Sequence, residues 1–491
     1  MSLSFSPPAG ATPALPGRLL GLSPPEEWGQ GWRWTIDLST GEGLALREQL
    51  LCRLHRHFGL PDPREVLRKQ NRTFRVIPFR FMATQPVALR RSDLELFARA
   101  QRHPAPTCAS GEPRWPGAAD GTAIKSPEML WDEASRQHKT AASEQSAESV
   151  LRTATSAPCS HYVTWKSDGR RYLLLFARIR QNGTVHSVQA MIGRGSTDDV
   201  FLVSLPSHPS VYDGSLLDGE LMRDNRTFEA FDIVACSGND TVRNWTYRDR
   251  QTVLGHLVPV FASRGGGELA AADSAPTFAV RLKQVVPLTA LRHFAWDNGL
   301  VHLDNFQLSS RDRPGQAAAA ADAAPPLTRE VDGLVIYTNL SPVKTYADHT
   351  LKKFKPLQSV DFQLAVVRCI LCRAQQSSGR EPGASCCEVQ LLAADGTGRK
   401  VWAQQNVGLT LAPFRREFKF QRWRVHTGSI VDLEGRIVEC ALCPDDLVWK
   451  PLVDPVRRDK TTPNSIAVVQ DTQEAMADNV TLEELCRSVE G

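Results

Sequence analysis

The chain has 491 residues, 42% hydrophobic and 23% charged, the make-up of a globular protein with room for two cores and irregular insertions. No uncharged apolar run reaches the ~18–20 residues of a membrane span and the N-terminus lacks the basic start of a secretory leader, so an intracellular protein with no membrane role is expected. A net charge of +4 is too small to hold nucleic acid as a bulk field, and the eleven cysteines are expected to be mostly thiols.

Residues 35–59 carry Leu46, Leu50, Leu51, Leu54 and Phe58 at helical spacing ahead of Gly59, which predicts a core helix. Residues 102–158, 263–276 and 309–326 are crowded with small, Pro or polar residues and are expected to be flexible insertions. Residues 161–180 read as two strands around a tight turn at Asp168-Gly169, and strand-like segments follow at 200–205, 215–222, 228–234 and 334–338. No Lys-Ser/Thr follows a Gly-rich turn, so no P-loop is present. Beyond Pro356, short strand candidates at 362–369, 388–392, 400–404 and 430–440 fit a small β-barrel, and a last helix is expected near 481–489. The Cys369/Cys372 and Cys440/Cys443 pairs, with Cys386-Cys387 between, have spacings open to zinc or to buried strand thiols. Residues 414–424 mix Arg and Lys with aromatics, either an RNA-tracking segment or a solvated strand.

Lys166-Ser-Asp-Gly-Arg170, taken alone, is an ordinary hairpin turn. It is followed in order by Leu217-Asp-Gly-Glu-Leu221, Glu330-Val-Asp-Gly-Leu334, Leu351-Lys-Lys-Phe-Lys-Pro356 with Ser359-Val-Asp-Phe362, and Arg457-Arg-Asp-Lys460 with Thr461-Thr-Pro-Asn464. Together these resemble the covalent nucleotidyltransferases, which include DNA ligases, RNA ligases and mRNA capping enzymes. The Glu-Val-Asp-Gly-Leu form, the Lys-Phe-Lys-Pro and Val-Asp-Phe continuation, the Arg-x-Asp-Lys-x-x-Pro-Asn ending and an upstream Gln85-Pro-Val all resemble the capping guanylyltransferases more than the ligases.

The resemblance implies an α+β, two-domain fold: an ATP-grasp-like antiparallel-sheet nucleotidyltransferase domain over 1–357 and an OB-fold β-barrel over 358–450, followed by a motif-bearing segment and helix over 451–491. It implies GMP transfer from GTP through Lys166 to the 5′-diphosphate end of RNA, giving a Gppp cap. A lysine amine suits this chemistry because its phosphoramidate forms and breaks readily. At an ordinary pKa of about 10.4 only one lysine in a few thousand is neutral at pH 7, so Arg170, Lys353, Lys355 and a divalent cation are expected to lower that of Lys166. The resemblance assigns Glu220 and Asp332 to Mg²⁺ or Mn²⁺ or, for Glu220, to the sugar, as hard oxygen ligands. It assigns Phe231 to guanine stacking, Lys283 to the guanine O6, Arg194 to nucleotide contact, and Arg457, Asp459 and Lys460 to the β- and γ-phosphates after domain closure. Pro455 stands where the family places another arginine, and Trp449 lies farther upstream than expected. A separate RNA triphosphatase, a cap methyltransferase and RNA polymerase II are the expected partners, and the nucleus the expected location. The alternatives are an ATP-dependent polynucleotide ligase and a non-catalytic RNA-binding homologue.

Overall fold

The computed structural model describes residues 22, 33–69, 83–102, 160–193, 199–205, 207, 209–262, 278–300, 331–356, 358–368, 387–395, 397–402, 435–443, 448–457, 460 and 462–490. Nearly all of the three expected insertions, the 414–424 segment, Arg194, Asp459 and Cys369, Cys372 and Cys386 lie outside the described residues. The class is mixed α+β, built on three sheets.

The first sheet has seven strands: β1 (Arg33–Thr35), β4 (Arg170–Gln181), β5 (Thr184–Gly193), β6 (Val200–Val203), β7 (Ser215–Leu221), β8 (Thr227–Ala235) and β9 (Ala279–Leu282), in the order β1-β6-β5-β4-β7-β8-β9. Strand β4 explains the layering. Its apolar run is buried on both faces, and side chains alternate with period two. Leu173, Leu175, Ala177 and Ile179 pack against Leu46, Leu50, Leu51 and Leu54 of helix α1 (Gly41–His57). Tyr172, Leu174 and Phe176 pack on the other side against Leu254, Leu257 and Phe261 of a long helix (Tyr247–Ala262). The expected core helix is thus α1, started by Thr40, whose side chain accepts from the Gly43 N–H at 3.0 Å, and stopped at Phe58.

The second sheet runs β10 (Val286–Pro287), β3 (His161–Ser167), β11 (Val331–Thr338), β12 (Ala347–Phe354), β2 (Gln85–Ala88). The expected hairpin is β3 and β4, but its two strands enter different sheets, so its turn bridges them. Between the sheets lie Tyr162, Phe231, Tyr247, Val335, Tyr337 and Leu351, with the Tyr247 and Tyr337 rings stacked at 4.1 Å.

The third sheet, β15-β14-β13-β16-β17, is formed by β13 (Ser359–Arg368), β14 (Cys387–Ala394), β15 (Lys400–Trp402), β16 (Ile437–Cys443) and β17 (Val448–Val456). All pairings are antiparallel, and among the described residues β15 and β17 do not meet, so this is half of a barrel. Strand β17 breaks its pairing with β16 between Pro451 and Val456. Prolines at 451 and 455 have no N–H to give a ladder, which accounts for the break. The chain then returns to the second sheet. Leu482, Leu485, Cys486 and Val489 of the last helix (Leu482–Glu490) share a core cluster with Trp165, Phe294 and Leu334. Thr481 and Glu484 start that helix with a reciprocal cap, each side chain accepting from the other's backbone N–H. Among the described residues no helix is long and apolar enough to cross a membrane.

His161, at the start of β3, sits edge-on to Phe97, and burial pushes its imidazole pKa down to about 4. The unfolded value is about 6.5, so the unfolded chain binds a proton over a range where the folded one does not. The stability present above pH 6.5 is therefore lost as pH falls towards 4. A drop of up to about 2 kcal/mol between pH 7 and pH 5 is expected in urea melts, and His161→Gln should flatten it.

Candidate active site

Lys166 is the penultimate residue of β3, between the buried Trp165 and Ser167. Its Nζ donates to both oxygens of Asp332, at 2.8 and 2.9 Å. Lys355, just past β12, reaches the same carboxylate at 3.1 Å. Asp332 sits at a register shift in the β3–β11 pairing, next to Gly333. A Cβ on Gly333 would lie 2.0 Å from the Phe354 carbonyl oxygen, so only glycine lets β11 approach the end of β12 closely enough for Asp332 to meet Lys355. Gly169 has the same role in the hairpin turn, where a Cβ would lie 2.6 Å from the Leu221 carbonyl and 2.8 Å from Glu220 Cγ. Glu220 accepts from the Gly169 N–H at 3.3 Å.

The electrostatics of Lys166 correct the expectation of a cation-lowered pKa. Burial does work against its ammonium, but the carboxylates of Asp332 and then Glu220 outweigh it, and the pKa is raised. For Asp332, burial favours the neutral acid, yet Lys355 and Lys166 overcome it and hold the carboxyl below its usual value. The nucleophile candidate is thus stored as an ammonium in an ion triad. Burial pushes Glu220 up, with Lys283 and Lys166 opposing.

Lys283 is buried, 3.9 Å from Glu220, with its ammonium 5.2 Å from the centre of the Phe231 ring. Burial pushes its pKa down further than Glu220 and Glu229 pull it back. On the other strand of the hairpin, Arg171 also sits 5.2 Å from the Phe231 ring, pairs with the buried Asp218 at 2.6 Å and donates to the Thr84 carbonyl at 2.7 Å. Arg171 was not among the expected site residues. Its signal was available, since it directly follows the motif on β4, and across the β4–β7 pair it faces Glu220 of the Leu-Asp-Gly-Glu-Leu motif, two residues from Asp218. Arg170 donates to Asn225 at 2.8 Å and lies 5.6 Å from the Tyr172 ring.

Lys353 pairs with Val335 and Ala88 in the second sheet. Leu351, two residues earlier and so on the same face, belongs to the cluster with Phe231, whereas Lys352 on the opposite face binds Asp93 at 2.9 Å. The C-terminal cations pair with carboxylates of the third sheet. Arg457 pairs with Asp361 at 3.0 Å and Glu439 at 3.5 Å, and Lys460 pairs with Asp361. Both bind Asp361 of the Val-Asp-Phe motif, and Asn464 holds that residue, its Oδ1 accepting from the Asp361 N–H and its own N–H donating to the Asp361 carbonyl, each at 2.8 Å. Trp449 is buried edge-on against Phe362 at 5.4 Å, which gives it a core role.

Among the described residues no three His, Cys, Asp or Glu side chains converge as a metal cage. Asp332 and Glu220 instead supply two separate carboxylates in one cleft. That donor set suits a small hard cation that takes one or two carboxylates and completes its shell with substrate phosphates and water. Cys440 is buried, and burial pushes its thiol pKa up.

No curated protein matches the sequence. Among solved structures, Pmar-Lig_Pre is 14% identical with a TM-score of 0.25, over 64% of this chain and 66% of its own. A mycobacterial DNA ligase D complexed with ATP and MES is 14% identical with a TM-score of 0.27, over 61% of this chain and 90% of its own. The ATP-dependent DNA ligase of bacteriophage T7 complexed with ATP is 12% identical with a TM-score of 0.24, over 64% and 94%. The chain thus spans just under two thirds of the length of the first of these. Two family models match: the mRNA capping enzyme catalytic domain over residues 157–305 and the mRNA capping enzyme C-terminal domain over residues 357–486. The first stretch holds Lys166, Glu220, Phe231 and Lys283, the second holds Arg457 and Lys460, and the two together cover more than half of the sequence. The chain therefore belongs to the mRNA capping enzyme family.

Proposed function

We propose that Lys166 carries GMP from GTP to the 5′-diphosphate end of RNA. The observation that carries this reading is the meeting of Lys166, Lys355 and Asp332, three residues from three separate motifs, with Glu220 and Lys283 beside them.

In the first step Lys166, hydrogen-bonded to Asp332 at 2.8 Å, gives up its ammonium proton to water and becomes a neutral amine. Its lone pair attacks the α-phosphorus of GTP, the P–N bond forms, and the bond to the β-phosphate oxygen breaks to release pyrophosphate. Lys355 and Lys353 offset charge on the transferring phosphoryl group. In the second step a terminal oxygen of the RNA diphosphate attacks the same phosphorus, the P–N bond breaks, and Lys166 takes back a proton. Asp332 and Glu220 would hold Mg²⁺ or Mn²⁺, which when bound supplies Lewis-acid charge neutralisation on the phosphates. Phe231 stacks on guanine and Lys283 binds its O6. Arg194 and Arg170 contact the nucleotide, and Arg457, Asp459 and Lys460 grip the β- and γ-phosphates once Arg457 and Lys460 leave Asp361. The third sheet is the OB-type lid that makes this movement. The triphosphatase and methyltransferase steps belong to separate proteins, the RNA comes from RNA polymerase II, and the enzyme works in the nucleus.

The test is incubation of the full chain with α-phosphate-labelled GTP or ATP and Mg²⁺ or Mn²⁺. Acid-labile label from GTP on the denatured protein, discharged by pyrophosphate and transferred to diphosphate-ended RNA, is the expected result. Label from ATP alone would make it a ligase, and label from neither would leave the non-catalytic RNA-binding reading.

A further inference from the structure

One buried carboxylate touching the nucleophile's strand has no part in the chemistry above. Glu229, on β8, is 8% exposed. Its Oε2 accepts from the Ser167 hydroxyl at 2.6 Å and from the Trp165 indole N–H at 3.4 Å. These are the two chain neighbours of Lys166, and on a strand the residues before and after a given position share one face. A single oxygen therefore holds β3 on both sides of the nucleophile. Trp165 is fixed in turn, its ring stacked on Phe294 at 5.5 Å with an interplanar angle of 3°.

The same carboxylate reaches towards the base side of the cleft. Glu229 and Phe231 stand two apart on β8, with a register shift in the β7–β8 pairing at Phe231. Glu229 lies directly across from Glu220 in the β7–β8 pair, and its charge acts on Lys283, which lies over the Phe231 ring. One strand thus bears both the aromatic proposed to meet guanine and the group that grips the nucleophile's neighbours.

We infer that Glu229 is a positioning residue for nucleotidyl transfer, locking Ser167 and Trp165 so that Lys166 Nζ is aimed at the α-phosphorus. This rests on Lys166 being the nucleophile. In-line attack tolerates little misplacement, and an error of about 1 Å costs on the order of 10²-fold in rate. Glu229 acts through geometry, so its loss falls on the maximal rate of lysine guanylylation and not on the GTP concentration for half-saturation.

The experiment measures single-turnover formation of the lysyl-GMP adduct in the full-length wild type and in Ser167→Ala, Glu229→Ala, Glu229→Gln and the Ser167→Ala/Glu229→Ala double variant, each checked by circular dichroism. Glu229→Ala is expected to lower the maximal rate about 10²-fold with half-saturation changed less than about threefold, and the double variant to be no slower than Glu229→Ala. Glu229→Gln keeps a carbonyl oxygen for Ser167 and is expected to recover most of the rate. A folded Glu229→Ala variant within twofold of the wild-type rate, or a double variant slowed by the product of the single effects, would overturn the inference. If Glu229→Ala does not fold, Ser167→Ala decides it: a lowered maximal rate with half-saturation unchanged supports the inference, and a wild-type rate overturns it. An unlabelled wild type would instead remove the nucleophile assignment.

Discussion

Lys166→Ala is expected to carry no labelled GMP and to form no cap, a loss of at least about 10³-fold, because without an amine there is no covalent adduct to transfer. Lys166→Arg is expected to be as inactive, since a guanidinium stays protonated throughout the working pH range. The two variants differ in what they leave behind. Alanine frees Asp332 to pair with Lys355 alone, whereas arginine keeps a cation opposite that carboxylate. Both are expected to fold with unchanged circular dichroism, and arginine is expected to keep more of the GTP affinity in equilibrium binding. Covalent label on either variant, mapped by peptide analysis to another lysine, would place the nucleophile elsewhere.

The second large effect is expected at Asp332, the one carboxylate that Lys166 and Lys355 share. Asp332→Asn is expected to slow adduct formation about 10²–10³-fold, the size of losing one aimed electrostatic group in a phosphoryl-transfer site. It leaves two part-buried ammonium groups without their counter-charge, which costs about 3 kcal/mol or more of stability at neutral pH. Its pH dependence has a definite sign. Asp332 has a lowered pKa in the fold, so its contribution is present above the unfolded carboxyl value of about 3.9 and is lost as pH falls through the folded one. Lys166 has a raised pKa, so its contribution is present below the unfolded lysine value of about 10.4 and is lost as pH rises through the folded one. In Asp332→Asn the largest influence left on Lys166 is burial, which favours the neutral amine. An amine-directed reagent is therefore expected to modify Lys166 at lower pH in the variant than in the wild type. Coincident modification curves would show that Asp332 does not hold the ammonium.

Much of this site was legible before folding because it is written in short local patterns. The turn at Asp168-Gly169, the stripe from Leu46 to Phe58 and the alternation around Lys353 each follow from backbone geometry within a few residues. The strand after Asn182-Gly183 carries an equally local signal, as that dipeptide is the hairpin turn joining β4 to β5. The resting places of Arg457 and Lys460 were not available. Both are drawn to Asp361, nearly a hundred residues earlier, because β13, β16 and the segment after β17 come together only in the folded sheet.

The lysine opens and closes the distinction. Its residue type, its turn and the order of the motifs after it were set by the sequence alone, and they point to the family. Its charge state was decided by tertiary structure. Asp332 lies 166 residues away along the chain, yet β3 and β11 are neighbours, and Gly333 allows the approach that places that carboxylate on Lys166 and Lys355 together. A pKa depends on the sum of burial and nearby charge in three dimensions. Counting the cations near Lys166 in sequence therefore missed the carboxylates that outweigh them in the fold, and it also left unseen the Glu229 carboxylate that holds the residues on either side of it.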